Sequence, residues 1–178
     1  DKDNNDWESI FNCLNKIKQE IKDYLPYKHL EVDGAEADDI IATLAKNYQE
    51  EKMMIISGDK DFIQLHKYKQ VRQYSPILKK LVEGHDPIDY INVHMLKGDS
   101  SDGVPNVLSD DKCLVEGRRQ TVLSSKKKAA LLDDPKALGE DVYRNYLRNK
   151  KMIDLTENSE CPQKIKEEII NTFEAQDQ

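Results

Sequence analysis

Met53-Met54-Ile55-Ile56-Ser57-Gly58-Asp59-Lys60-Asp61 decides the fold. Four apolar residues are too few for a helix and, apolar on both faces, read as a strand covered on both sides. The strand runs out through a serine and a glycine into two carboxylates. Upstream, Glu36 to about Glu51 places Ala37, Ile40, Ile41, Leu44, Ala45 and Tyr48 on one helical face. Lys28 to Val32 reads as a short strand before it, giving a βαβ-type unit. Downstream follow a short helix near Phe62 to His66, a strand Val71 to Tyr74 and an extended piece Lys79 to Val82.

From Pro87 onward the pattern turns helical. Ile88, Ile91, Met95 and Leu96 mark one helix, Ala129 to Leu132 a second, Val142, Tyr146 and Leu147 a third, and Ile165, Ile169, Ile170 and Phe173 a last. Near the start, Trp7, Ile10, Phe11, Leu14, Ile17, Ile21 and Tyr24 predict an amphipathic helix that stops before Pro26 and packs on the core. The expected architecture is α/β: a parallel sheet flanked by helices over residues 1–84, then a helical lobe over 85–178.

The 178 residues carry 34 acidic against 27 basic side chains, a net charge of −7, with 38% hydrophobic residues and only 7 Gly and 6 Pro. Such a chain can bury a core and is neither collagen-like nor low-complexity. Its longest uncharged apolar run, Met53 to Ile56, is far short of a membrane span. Cys13, Cys113 and Cys161 show no metal-binding or disulfide spacing, so a reduced, cytoplasmic monomer is expected. Asp1, Asp3 and Asn5 imitate half of a calcium loop, but Asp6 and Asn12 stand where glycine and glutamate are required, which excludes it. The acidic balance at first speaks against a nucleic-acid partner.

Where the acids sit matters more. Glu36-Ala37-Asp38-Asp39, Asp59-Lys60-Asp61 and Asp99-Ser100-Ser101-Asp102 each admit a structural reading: carboxylates at a helix start, Asp33 with Glu36 as a capping box, Asp61 as a cap, and a turn at Asp99 to Gly103. Topology favours more. If the strands before Asp33 and Asp59 are parallel neighbours, Glu36, Asp38, Asp59 and Asp61 converge beyond their carboxyl ends, where open α/β sheets place their sites. Two carboxylates about 4 Å apart repel by roughly 4 kcal/mol at an effective dielectric near 20, so such a gathering demands cations or shifted pKa values. With no His or Cys in these motifs, oxygen-liking Mg²⁺ or Mn²⁺ fits better than zinc. A carboxylate-held ion pair is suited to attack by water on a phosphodiester. Setting the seven acids of these clusters aside leaves 27 acidic residues against 27 basic.

In order and spacing, these acids together with Ser57-Gly58-Asp59-Lys60-Asp61-Phe62-Ile63-Gln64-Leu65 and Lys97-Gly98-Asp99-Ser100-Ser101-Asp102-Gly103-Val104-Pro105 resemble the 5′-nuclease (flap endonuclease) superfamily. Gln64-Leu65-His66-Lys67-Tyr68, Val115-Glu116-Gly117 and Met152-Ile153-Asp154-Leu155 are similar to its phage ribonuclease H branch. The resemblance runs from about Leu25 to about Phe173. It implies two-metal 5′ to 3′ cleavage of flaps and of RNA primers on DNA, with RNase H activity, in phage-type replication. It also implies a single-strand-binding protein or sliding clamp as partner, and the host cytoplasm as location. Carried over by position, Glu36, Asp38, Asp59, Asp61, Asp99 and Asp102 become metal ligands, with Asp38, Asp59, Asp61 and Asp102 catalytic and Asp39 no more than a helix-start acid. Gly98, Ser100, Ser101 and Gly103 fall in the first half of a helix-three-turn-helix element that tracks duplex phosphates, although ordinary turn serines would look the same.

That element departs from the superfamily after Pro105, where the glycine-rich turn is missing. The stretch 106–121 is expected to be an altered or mobile duplex-binding loop, with Arg118, Arg119, Lys126, Lys127 and Lys128 as phosphate contacts or a solvated face. The superfamily's first metal-binding acids and its basic arch have no match here. The chain is therefore expected to be a fragment lacking its upstream part, with weak or no nuclease activity alone. A non-catalytic duplex-binding module and a PIN-type ribonuclease are the alternatives.

Overall fold

The computed structural model describes residues 5–156 and 161–176. Most of the calcium-loop-like start therefore lies outside the described residues. Helix α1 spans Trp7–Tyr24, capped by Asp6, whose carboxylate accepts from the Ser9 amide at 3.1 Å and the Ser9 hydroxyl at 2.7 Å. The helix forms as expected, but it buries none of its residues: Trp7 and Phe11 are 55% and 58% exposed. The expected core packing is therefore not found.

Residues 28–32 form no strand. The segment is extended, but its backbone pairs with a side chain: His29 N–H donates to Gln176 Oε1 and Gln176 Nε2 to the His29 carbonyl, both at 2.9 Å. Val32 is buried beside Cys161 and Ile169. Helix α2, Ala37–Asn47, follows.

The sheet has three strands in the order β1 (Met53–Ile56), β2 (Val71–Ser75) and β3 (Lys80–Leu81). β1 and β2 are parallel, Met53 opposite Val71 through Ile56 opposite Tyr74, and β3 runs antiparallel to β2. The sheet is mixed, with a parallel pair, rather than parallel throughout. The parallel crossover is the 3-10 helix Asp61–Lys67. Ile55 faces a core of Ala42, Ala45, Phe62, Leu65 and Val71. Met54 and Ile56 on the opposite face are open, 51% and 71% exposed, so β1 is covered on one side and not on both.

Helix α3, Pro87–Lys97, starts at an Asp86 cap whose carboxylate accepts from the Ile88 and Asp89 amides, with proline at the first helical position where it suits. Helices α4 (Ser125–Asp133), α5 (Glu140–Ile153) and α6 (Gln163–Ala175) complete the chain. α5 turns Asn145, Asn149 and Ile153 inward and leaves Leu147 exposed. α4 inserts Leu131 beside Leu96 and Val107. α6 packs on α2 through the cluster around Ile169. Among the described residues no helix is long and apolar enough to cross a membrane.

Candidate metal centre

The three acidic motifs reach one cleft of about 720 Å³, lined by Glu36, Asp38, Asp39, Asp59, Asp61, Asp99 and Asp102. Each arrives by a different route. At the start of α2 the Glu36 N–H donates to the Asp39 carboxylate at 3.1 Å, so the capping pair is Glu36 with Asp39, not Asp33 with Glu36. Asp38, one residue into this turn, is half-buried in the cleft.

The second route is the exit from β1. Asp59 Oδ1 accepts from the Asp61 amide at 2.9 Å, and Ser57 Oγ from the Asp59 amide at 3.1 Å. Buried Gln73 on β2 fixes the turn from behind, its Nε2 donating to the carbonyls of Ser57 at 2.9 Å and Asp59 at 2.6 Å. Its Oε1 lies 3.2 Å from His66 Nε2.

The third route follows α3. Gly98 ends the helix at φ 68° and ψ −178°, a conformation reserved for glycine, and a Cβ there would stand 2.4 Å from the Val104 carbonyl oxygen and 2.6 Å from the Pro105 backbone. The loop closes as an antiparallel bridge between Asp99 and Val104. Asp99 Oδ1 accepts from the Ser101 amide at 2.8 Å and from the Ser101 hydroxyl. The buried Asn149 amide on α5 donates to the carbonyls of Met95 at 2.8 Å and Pro105 at 3.0 Å.

Crowding in the cleft shifts its carboxylates unevenly. Burial first, then Asp59, Asp61, Glu36 and Asp39, push Asp38 up to about 6. Burial and Asp99 raise Asp102, whereas the Ser101 hydrogen bond holds Asp99 below the usual carboxylate range. These oxygen donors suit hard divalent cations. They were expected to meet beyond two parallel strands, one at 28–32. Instead the amino end of α2 brings Glu36 and Asp38 beside the exit of β1.

Sequence reasoning missed His94. It stands outside the motifs, yet its Nε2 lies 3.3 Å from Asp61 Oδ1 and 3.6 Å from Asp99 Oδ2, and these three groups could together hold a metal ion. Asp61 beside it holds the imidazole above its ordinary pKa, against burial. Gln73 and Asn149 were missed too. The available signal was weak: amides on core-facing positions.

The basic residues sit elsewhere. Arg118 is paired with Asp110 at 2.7 Å and Glu116 at 2.6 Å. Arg119 is exposed on the same loop, and Lys126, Lys127 and Lys128 ride the first turn of α4; none of these five lines the cleft. The stretch 106–121 is irregular but tied down. Asn106 Nδ2 donates to the Thr121 carbonyl at 2.9 Å, Ser109 Oγ accepts from the Thr121 amide at 2.9 Å, and Asn145 Nδ2 donates to the carbonyls of Val107 and Ser109 at 3.0 and 3.2 Å.

Carboxylates from three separate segments, gathered at the exit of a parallel strand pair, define a candidate metal centre of nuclease type. Residues 8–94 match the family described as 5′-3′ exonuclease, N-terminal resolvase-like domain. Among individual relatives, the ribonuclease H of Enterobacteria phage T4 is 37% identical over 180 residues, covering 94% of this chain and 58% of the phage protein. The 5′-3′ exonuclease of Buchnera aphidicola is 34% identical over 110 residues, 56% of this chain and 35% of that protein. DNA polymerase I of Bacillus subtilis is 35% identical over 102 residues, 50% of this chain and 12% of that protein. The chain thus spans little more than half the length of the phage relative and less of the others.

Proposed function

We propose that the cleft binds Mg²⁺, with Mn²⁺ as a substitute, and hydrolyses phosphodiesters 5′ to 3′ at ends and flaps of DNA and RNA–DNA duplexes, removing RNA primers in phage-type replication. The observation that carries this reading is the meeting of seven carboxylates from three segments in one cleft. Glu36, Asp38, Asp59, Asp61, Asp99 and Asp102 would hold the ions, with Asp38, Asp59, Asp61 and Asp102 closest to the chemistry. Bound there, the ions would supply Lewis-acid stabilisation of phosphate charge and a more acidic water. The chain's own part is preorganisation. Gln73 and Asn149 hold the two carboxylate loops through neutral amides, which satisfy main-chain carbonyls without cancelling the negative field.

We assign the catalytic lobe to residues 1–84 and the duplex-binding lobe to 85–178, with a modified helix-three-turn-helix element beginning at Gly98 to Val104. Ser100 and Gly103 are exposed on the loop that carries Asp99 and Asp102, where they would meet a backbone phosphate. Lys126, Lys127 and Lys128 occupy the positive end of α4, whose first turn has no acid, so an anion from outside the chain is their natural complement.

The test is a labelled 5′-flap duplex incubated with Mg²⁺ and either this chain or its Asp59→Asn variant, with single-stranded RNA as competitor. Weak Mg²⁺-dependent cleavage that Asp59→Asn abolishes is expected. Cleavage that survives the substitution contradicts the metal cluster. Duplex binding without cutting points to a binding module, and preference for the unpaired RNA to a PIN-type ribonuclease.

A further inference from the structure

We propose that His94 is a nitrogen ligand to one of the ions in the cleft, giving that position a preference for Mn²⁺-type first-row ions over Mg²⁺. The inference rests on the reading above that the cleft holds divalent cations, and it goes further by adding a donor of a different kind.

Three observations converge on the ring. First, Nε2 stands 3.3 Å from Asp61 Oδ1 and 3.6 Å from Asp99 Oδ2. Donor atoms around one ion, at bonds of about 2.1 Å, stand about 3 to 3.5 Å apart in octahedral or tetrahedral shells. The ligand atoms of all three residues fall within 4.8 Å of one another, so a single ion can touch each. Second, Nε2 is shut off from solvent and, although within ion-pairing distance of Asp61 and Asp99, makes no well-aligned hydrogen bond to either. A buried ring nitrogen left unsatisfied is a cost that calls for a partner, and an ion between the three groups would supply it. Third, the ring is held in place. Tyr90, one turn earlier on α3, stacks on it at 5.6 Å between centroids and 19° between planes. The flanking Ile91, Met95 and Leu96 are buried and anchor the helix.

Ligand chemistry then sets the preference. Mg²⁺ takes oxygen ligands and retains water, whereas Mn²⁺ and its heavier neighbours accept imidazole alongside carboxylate. A site of two carboxylates and one imidazole therefore discriminates where an all-carboxylate site would not.

The experiment uses Mn²⁺ alone, added to the full chain, with pulsed electron paramagnetic resonance reporting nitrogen coupling and calorimetry reporting affinity. Wild type is expected to show a nitrogen coupling that His94→Gln removes. The same variant should weaken Mn²⁺ binding tenfold or more while changing Mg²⁺ binding less than twofold. If His94→Gln does not fold, as judged by circular dichroism, replacing His29, His66 and His85 instead must leave the wild-type coupling in place. Mn²⁺ binding without nitrogen coupling overturns the assignment of His94 and leaves the cation-binding cleft standing. Coupling that persists in folded His94→Gln, or disappears with another histidine, also overturns it. Failure of both Mn²⁺ and Mg²⁺ to bind overturns this inference and the reading beneath it together.

Discussion

The two loops that carry most of the acids, 57–61 and 98–105, are fixed by the same device from opposite sides. Gln73 holds the first from the sheet, and Asn149 holds the second from α5. Both are neutral amides, buried, donating to two main-chain carbonyls each. The loops differ in what else they need. The first is a short exit from a strand, with Gly58 at ordinary backbone angles, while the second must fold back on itself at Gly98. In both loops an uncharged amide fixes the backbone beneath the carboxylates, and in the second Arg148 adds a charged donor to the Pro105 carbonyl at 2.8 Å.

That contrast orders the expected effects. Gly98→Ala should be the most damaging single change, because the backbone conformation alone costs about 1–3 kcal/mol and the added methyl meets backbone atoms that cannot swing away. A loss of about 3 kcal/mol or more in urea unfolding is expected, against a negligible change for Gly58→Ala. Asn149→Ala should follow, at about 2–3 kcal/mol, since the buried Met95 carbonyl loses its donor while Arg148 still donates to that of Pro105. Gln73→Ala, which removes the donor to the carbonyls of half-buried Ser57 and exposed Asp59, should cost about 1–2 kcal/mol and weaken cation binding more than its stability loss suggests.

A smaller effect separates the acids themselves. In the metal-free chain Asp38, Asp102 and His94 all bind protons more tightly when folded, so their contributions to stability decline as pH rises. For Asp38 the decline runs from about pH 4 through its folded value of about 6. Asp99 is shifted the other way and opposes them, losing its contribution as pH falls. The unfolding temperature without cations is therefore expected to be higher at pH 5 than at pH 7.5. Added Mg²⁺ should raise the value at pH 7.5 more than at pH 5. The smallest effect is expected at Arg118. Its ion pairs are exposed, so Arg118→Ala should leave the unfolding midpoint unchanged.

The acids were legible in the sequence because their spacing is a local property, and so were the helices α2 to α6 and the strands around Ile55 and Tyr74. What could not be read depends on neighbours far along the chain. The extended run 28–32 looked like a strand, but its partner is the side chain of Gln176. The apolar face of α1 announced a helix correctly and said nothing about what that face meets. Ile56 is apolar and nevertheless open, since the face of β1 it shares with Met54 is uncovered. His94, Gln73 and Asn149 look unremarkable in one dimension. Only packing of α3, β2 and α5 against the carboxylate loops gives them a role.

The most direct measurement is a calorimetric titration of Mg²⁺ into the chain and into its Asp59→Asn and Asp38→Asn variants at pH 7.5. Saturable Mg²⁺ binding that both substitutions weaken is the predicted result. Absence of binding, or binding indifferent to both substitutions, would contradict the claim that these acids form a cation site.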